Sequence, residues 1–306
     1  MTLPTHRLKG LAWILLSILC WAPMFSVAKR ALPYVDAFAL GTLRYLVGSV
    51  LFIALLWAIE GRQALRFDGR IVPATAFGMI GITGFNVLVW VGLTHTRPEH
   101  AAIIMSLQTP LIALTLWLTR GQRPATFVLG CVAAALAGVF LVVTKGNPFN
   151  AFEGGTLLGD ALVLFGAIAW VTYTLAAGRF AGWSPLRLTV LTCIPGAVGL
   201  LIVNAIAIGI GLAQVPSAQA IAAVGWQLAY FSTCTVVLGV LGFNFGVKHL
   251  GPLNTMLMLN LVPVCVFAIE AWLGRAFAAT ELVGAALVIG ALVANNLHQR
   301  RAIATV

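Results

Sequence analysis

Gly92-Leu-Thr-His95-Thr-Arg-Pro98 and Gly246-Val-Lys-His249-Leu-Gly-Pro252 share the spacing GxxHxxP, 154 residues apart in a chain of 306. Just upstream, Gly81-Ile-Thr-Gly84-Phe85-Asn86 echoes Gly239-Val-Leu-Gly242-Phe243-Asn244 at an offset of 158, so one turn is deleted between the two matches. Gly10 and Trp21 match Gly159 and Trp170 at a single offset of 149, and Pro110 matches Pro263. Each match is short. All of them fall in the same order along the chain, which is the signature of an internal duplication.

The surrounding sequence is apolar. Hydrophobic residues make up 61% of the chain and charged residues 8%, with a mean hydropathy of +1.02. A water-soluble domain carries about a quarter charged residues because its surface must be wetted; here lipid must take the place of water. A spanning helix needs about 20 mainly apolar residues. Ten segments qualify: 9–28, 37–59, 71–94, 99–119, 125–144, 157–178, 185–211, 219–247, 253–273 and 278–297. The links between them are short and leave no room for a soluble domain. His6, Arg7 and Lys9 before the first stretch resemble the basic lead of a signal peptide, but nine more stretches follow, so the first reads as a retained helix.

The net charge of +10 does not point to nucleic acid, because the basic residues sit singly or in pairs between apolar runs, as topology determinants do. With the N-terminus in the cytoplasm, twelve fall on that side: Arg7, Lys9, Arg62, Arg66, Arg70, Arg120, Arg123, Arg179, Arg187, Lys248, Arg300 and Arg301. Five fall on the other: Lys29, Arg30, Arg97, Lys145 and Arg275. Both termini are therefore expected in the cytoplasm. Cys20, Cys131, Cys193, Cys234 and Cys265 all lie in apolar segments with no CxxC and no neighbouring His, so they read as small hydrophobes. Neither a metal site nor a cofactor is indicated. HExxH, GxSxG and carboxylate clusters are missing too, which argues against an enzyme.

Parity gives the duplication its meaning. Five spans per half, 1–150 and 151–306, is an odd number, so the second half enters the membrane in the opposite sense. The expected fold is an all-α membrane protein of ten helices, built as two inverted five-helix repeats around a central cavity. In transporters with that symmetry the substrate sits near the midplane, between the repeats.

Trp21 followed eight residues later by Lys29, Arg44-Tyr45, Trp170-Val-Thr-Tyr173, Pro263, Glu270, Gly274 and Gly284-Ala-Ala-Leu-Val-Ile-Gly290 resemble, in order and spacing, the drug/metabolite transporter superfamily. The resemblance is to its bacterial ten-helix members with two EamA-type repeats, and it covers essentially the whole chain. Within them the chain is most similar to exporters of aromatic amino acids, which also pass flat cationic compounds. The resemblance thus implies a secondary carrier in the bacterial inner membrane, working by alternating access. Where the family often places Glu after the glycine ending helices four and nine, this chain has Gln122 and Arg275.

Polar groups in hydrocarbon must be paired or face a cavity. Asn86, Gln108, Asn244 and Asn260 lie inside their helices. The repeat-equivalent Asn86 and Asn244 are expected either to face each other across the cavity or to join helices; Gln108 and Asn260 lean towards joining helices. Trp21 and Trp170 lie near the midplane, where interfacial anchoring is not needed, and offer stacking or cation–π faces; Trp90 and Tyr173 are further aromatic candidates. Arg44, the only basic residue buried in a span, can hold a substrate carboxylate, snorkel to the interface or brace the fold, with bracing favoured. Lys29 reads as a topology charge. Pro23, Pro110 and Pro263 kink their helices and, with Gly84 and Gly242, form candidate hinges. His95 and His249 read as hydrogen-bonders at helix ends.

With no Asp or Glu near a midplane, the expected mode is uniport or a coupling too indirect to read from the residues. The substrate is expected to be a small amphiphile, an aromatic amino acid or flat organic cation. A nucleotide sugar or sugar phosphate is the alternative, although its phosphate would need paired basic residues. A non-transporting scaffold stands further off. The expected partners are the substrate and the lipid bilayer, with small-residue faces serving internal packing or a homodimer alike.

Overall fold

The computed structural model describes residues 5–121, 123–145, 147, 155–259 and 261–304, and all regular structure among them is helical. The segments are α1 in two pieces, α1a (Thr5–Trp21) and α1b (Met24–Ala31); α2 (Ala37–Glu60); α3 (Ile71–His95); α4a (Pro98–Ser106) and α4b (Gln108–Arg120); and α5 (Thr126–Thr144). Then come α6 (Leu157–Ala176), α7 (Pro185–Gly209), α8 (Gly225–Leu250), α9a (Pro252–Leu259) and α9b (Leu261–Trp272), and α10 (Ala279–Ala304). Seven of these are long and apolar enough to span a membrane unaided. The bent pair α4a–α4b makes an eighth, and α9 with the apolar part of α10 completes ten.

Proline chemistry accounts for most departures from ten straight rods. Segment 9–28 becomes two helices broken at Ala22–Pro23, because proline has no N–H and crowds the preceding turn. Segment 99–119 breaks at Leu107 and turns by 43°. Pro110 explains the position of the break, since its ring clashes with the carbonyl four residues back, that of Ser106. Segment 219–247 starts as a separate short helix, Ala218–Ala223, before α8 proper. Pro195, by contrast, is carried inside an unbroken α7.

The duplication is visible in the packing. α1 lies on α8 and α6 on α3, the same crossing made twice, while α2 pairs with α7 and α5 with α10, each segment with its own counterpart. Exchanging the halves leaves this set of pairs unchanged. The GxxHxxP signature is part of that crossing. A Cβ on Gly10 would stand 2.7 Å from Leu250 Cγ and 2.9 Å from His249 Cβ. A Cβ on Gly159 would stand 2.6 Å from the Gly92 carbonyl oxygen and 2.8 Å from the His95 backbone. Glycine at these two positions permits the approach, and the matched motifs on α3 and α8 supply what is approached.

A second repeated feature was not expected. The middle of α3, Met79–Gly84, and the middle of α8, Phe231–Val240, are π-helical. These are the stretches just before the paired Phe-Asn dipeptides, and π turns interrupt α-helices most often at functional sites.

Candidate substrate cavity

A cavity of about 70 Å³ lies between the halves, room for several waters but not for an organic substrate without widening. Its lining comes from both halves: Trp21, Arg44, Tyr45, Phe85, Met105 and Gln108 from the first, Trp170, Thr235, Val262 and Pro263 from the second. No carboxylate lines it among the described residues.

Aromatic rings form one wall. Trp21 and Trp170, the matched tryptophans of the two repeats, meet edge-on at 5.9 Å between ring centres. Phe85 stands 5.1 Å from Trp170, and Phe243 lies 5.6 and 5.7 Å from Trp170 and Trp21. Trp21 is held by its indole N–H, which donates to the Thr235 carbonyl at 2.9 Å. The π-helical stretch of α8 contains Thr235 and so supplies that carbonyl.

Arg44 forms the polar wall. It is 2% exposed, which excludes snorkelling. Its Nη2 donates to Asn86 Oδ1 at 2.7 Å, and its Nη1 reaches Thr235 Oγ1 at 3.4 Å and Met24 Sδ at 3.7 Å. The guanidinium lies 4.6 Å from the centre of the Trp90 ring and 5.1 Å from that of Tyr45, cation–π contacts that strengthen when desolvated. Among the described residues no carboxylate pairs with Arg44, and its Nε has no hydrogen-bond partner. A buried, unneutralised guanidinium facing a cavity is a ready anion site.

Several expectations change here. Asn86 and Asn244 do not face each other across the cavity. Asn86 accepts from Arg44 and from Trp90 Nε1 at 2.9 Å and donates to the Ile82 carbonyl at 2.6 Å; Asn244 donates to Thr189 at 2.5 Å. Both are joints between side chains, because a buried amide takes whatever partners its helix neighbours supply. Trp90 stands behind Arg44 rather than in the wall. Tyr173 also stands behind the lining, 5.4 Å from Trp170, with its hydroxyl 3.2 Å from that of Thr192. Gln108 moves the other way: the break at Leu107 turns the start of α4b into the cavity, so it lines the wall. Asn260 and Gln122 lie outside the described residues. Tyr45, Phe85 and Thr235 were missed, although Phe85 was visible beside Asn86 in the repeated Gly-Phe-Asn.

Of the candidate hinges, Pro23 sits at the α1 break, Pro110 just after the α4 break and Pro263 in the cavity wall. Gly84 ends one π stretch and Gly242 follows the other. Lys29 is more than a topology charge: its ammonium donates to the carbonyls of Leu93 and Thr96, each at 2.7 Å, capping α3. His249 stacks on Phe245.

A group of ionisable side chains lies at the end opposite the basic-rich loops, the outer end, and its convergence is not visible in the sequence spacing. Arg275 pairs with Glu99 and lies 3.4 Å from Glu281, and Arg97 lies 3.5 Å from Glu281. Burial lowers the Arg275 pKa, Arg97 pushes it the same way, and Glu281 opposes both. Glu99, His100 and Glu281 bring ligand atoms within 4.8 Å of one another. Two guanidinium groups already hold those carboxylates and would repel a metal ion, so the set is an ion-pair cluster.

The model of the EamA-like transporter family matches twice, over residues 8–144 and 157–297. The chain is 31% identical over 296 residues to the uncharacterized transporter YrdR of Bacillus subtilis (strain 168), covering 95% of this chain and 92% of that one. It is also 31% identical over 277 residues to the uncharacterized transporter YyaM of the same organism, covering 89% of each. A solved structure described only as "Crystal structure of protein" superposes with a TM-score of 0.69 at 21% identity, over 96% of this chain and 99% of the other; the two share a fold.

Proposed function

The chain belongs to the EamA-like transporter family, and from that premise we propose that this multi-pass membrane transporter exports aromatic amino acids and similar flat carboxylates. The observation that carries the substrate class is the pairing of an aromatic wall with an unneutralised Arg44. Rings at Trp21, Trp170 and Phe85 suit a flat apolar body. A guanidinium with no anionic partner suits a carboxylate, which it can bind through a planar fork. The same charge repels a flat organic cation, so cations rank below amino acids. One guanidinium is a poor match for a phosphate dianion, so sugar phosphates and nucleotide sugars rank lower still.

The mechanism is alternating access. Because α1 on α8 and α6 on α3 are the same crossing, each end of the molecule can adopt the packing the other now has. The cavity must widen on one side to admit substrate and contract before it opens on the other. Outward net transport, a bacterial inner membrane and cytoplasmic termini complete the reading, the last supported by the count of basic residues.

A competition panel in liposomes tests it. Uptake of labelled phenylalanine should be inhibited by tryptophan and tyrosine, weakly by phenethylamine, and not by glucose 6-phosphate. Strong inhibition by phenethylamine, with none by the amino acids, would overturn the carboxylate reading.

A further inference from the structure

Three other arginines of the described residues are answered by carboxylates: Arg275 by Glu99, Arg97 by Glu281 and Arg187 by Asp68. Arg44 is the most deeply buried of the four, and its partner is an amide. Burial raises the cost of an uncompensated charge, so a neutral partner here runs against the pattern of the rest of the chain.

That amide can take only one orientation. Asn86 Oδ1 accepts from Arg44 Nη2 at 2.7 Å and from Trp90 Nε1 at 2.9 Å, while Nδ2 donates to the Ile82 carbonyl at 2.6 Å. Turned over, the amide nitrogen would face two donors and the oxygen would face a carbonyl. Asn86 is fully buried, so bulk water can relieve neither conflict. The remaining partners of Arg44 are neutral too: Thr235 Oγ1 and Met24 Sδ at Nη1, and the rings of Trp90, Tyr45 and Phe231.

The second repeat shows what the fold needs at this point. Asn244, the equivalent of Asn86, also joins its helix to a neighbour, from α8 to α7, but its partner is the hydroxyl of Thr189. An amide joint is common to both halves; a charge at the joint is not. The repeat therefore packs without a guanidinium.

We propose that Asn86 is a positioning residue that holds the Arg44 guanidinium without neutralising it, and so sets the preference of the cavity for a carboxylate over an ammonium. A carboxylate at position 86 would hold Arg44 as firmly and cancel the charge that the substrate meets. An amide oxygen carries only a partial charge, so the guanidinium it holds still gains from an anion in the cavity. Asn86 is not part of the cavity lining and acts through Arg44, which is. The inference rests on the proposal that the substrate is an aromatic carboxylate.

Phenylalanine and phenethylamine differ by one carboxylate, so the ratio of their kcat/KM values in liposomes isolates its recognition. Asn86→Asp, nearly isosteric, keeps an acceptor for Arg44 and Trp90 but neutralises the pair and gives up the donation to Ile82. The ratio should fall about 10- to 100-fold, chiefly through a higher KM for phenylalanine, with phenethylamine moved as well as before or better. Asn86→Ala gives up the same donation and the hold on Arg44 but leaves its charge; the ratio should fall only about two- to tenfold. A merely structural Asn86 would depress both compounds alike. An unchanged ratio in either variant, in protein that elutes as the wild type does, overturns the proposal, as does a fall no larger in Asn86→Asp than in Asn86→Ala. If Asn86→Asp does not fold, the ratio in Asn86→Ala decides. A wild-type protein with no preference for phenylalanine over phenethylamine overturns the substrate class as well, whereas a wild-type preference that survives Asn86→Asp overturns the role of Asn86 alone.

Discussion

Arg44 shows how much one side chain decides. Three side-chain contacts and three aromatic rings, Trp90, Tyr45 and Phe231, hold it, yet its charge stays unneutralised at a cavity wall. If it binds the substrate carboxylate, Arg44→Gln should weaken phenylalanine exchange about 10- to 100-fold, the span expected for losing a hydrogen bond to a charged group. Phenethylamine transport should hold or improve. Equal loss of both, in protein that elutes normally, would assign Arg44 to bracing alone. Trp170→Ala should slow exchange more modestly, by about two- to tenfold, as the loss of one aromatic contact predicts. Initial rates in liposomes at matched protein density would measure both.

At the scale of elements, the two glycine crossings are equivalent in sequence but unequal in what surrounds them. Gly10 meets the Leu250 and His249 side chains, whereas Gly159 meets backbone at Gly92, His95 and Thr96. The Leu250 side chain can turn aside in part, whereas His249 Cβ and the backbone of a packed helix end cannot. Gly159→Ala should therefore cost about 1–3 kcal/mol, the usual range for overpacking, and Gly10→Ala somewhat less. Thermal unfolding in detergent would rank the two, and the reverse order would contradict this account. The paired π stretches matter at the same scale. Each extra residue in a turn rotates the helix beyond it by about 100°, given 3.6 residues per turn. That rotation helps explain why Asn86 and Asn244 do not point where simple helical counting places them.

For the whole molecule, the prediction concerns energetics of transport. No carboxylate lines the central cavity among the described residues. Substrate should therefore equilibrate across liposomes with no pH gradient imposed. Accumulation against a concentration gradient only when a pH gradient is applied would show true coupling and refute the uniport reading. A flow assay with internal and external pH set independently separates rate from driving force.

The sequence by itself determined the ten apolar segments, the odd-numbered repeat and the matched tryptophans, because hydropathy and spacing along a chain survive any arrangement of neighbours. Trp21 and Trp170 could be placed since two tryptophans at equivalent midspan depths point to one shared region. Tertiary structure decided what each polar group faces. Asn86 turned towards Arg44 and Trp90, Gln108 swung into the wall at the α4 break, and Glu99, His100, Asp160 and Glu281 converged from segments up to 182 residues apart. A helical pattern specifies depth but not partner. An ionisable residue near the end of a span reads alone as a surface charge, and only the packing of opposite halves takes it out of water.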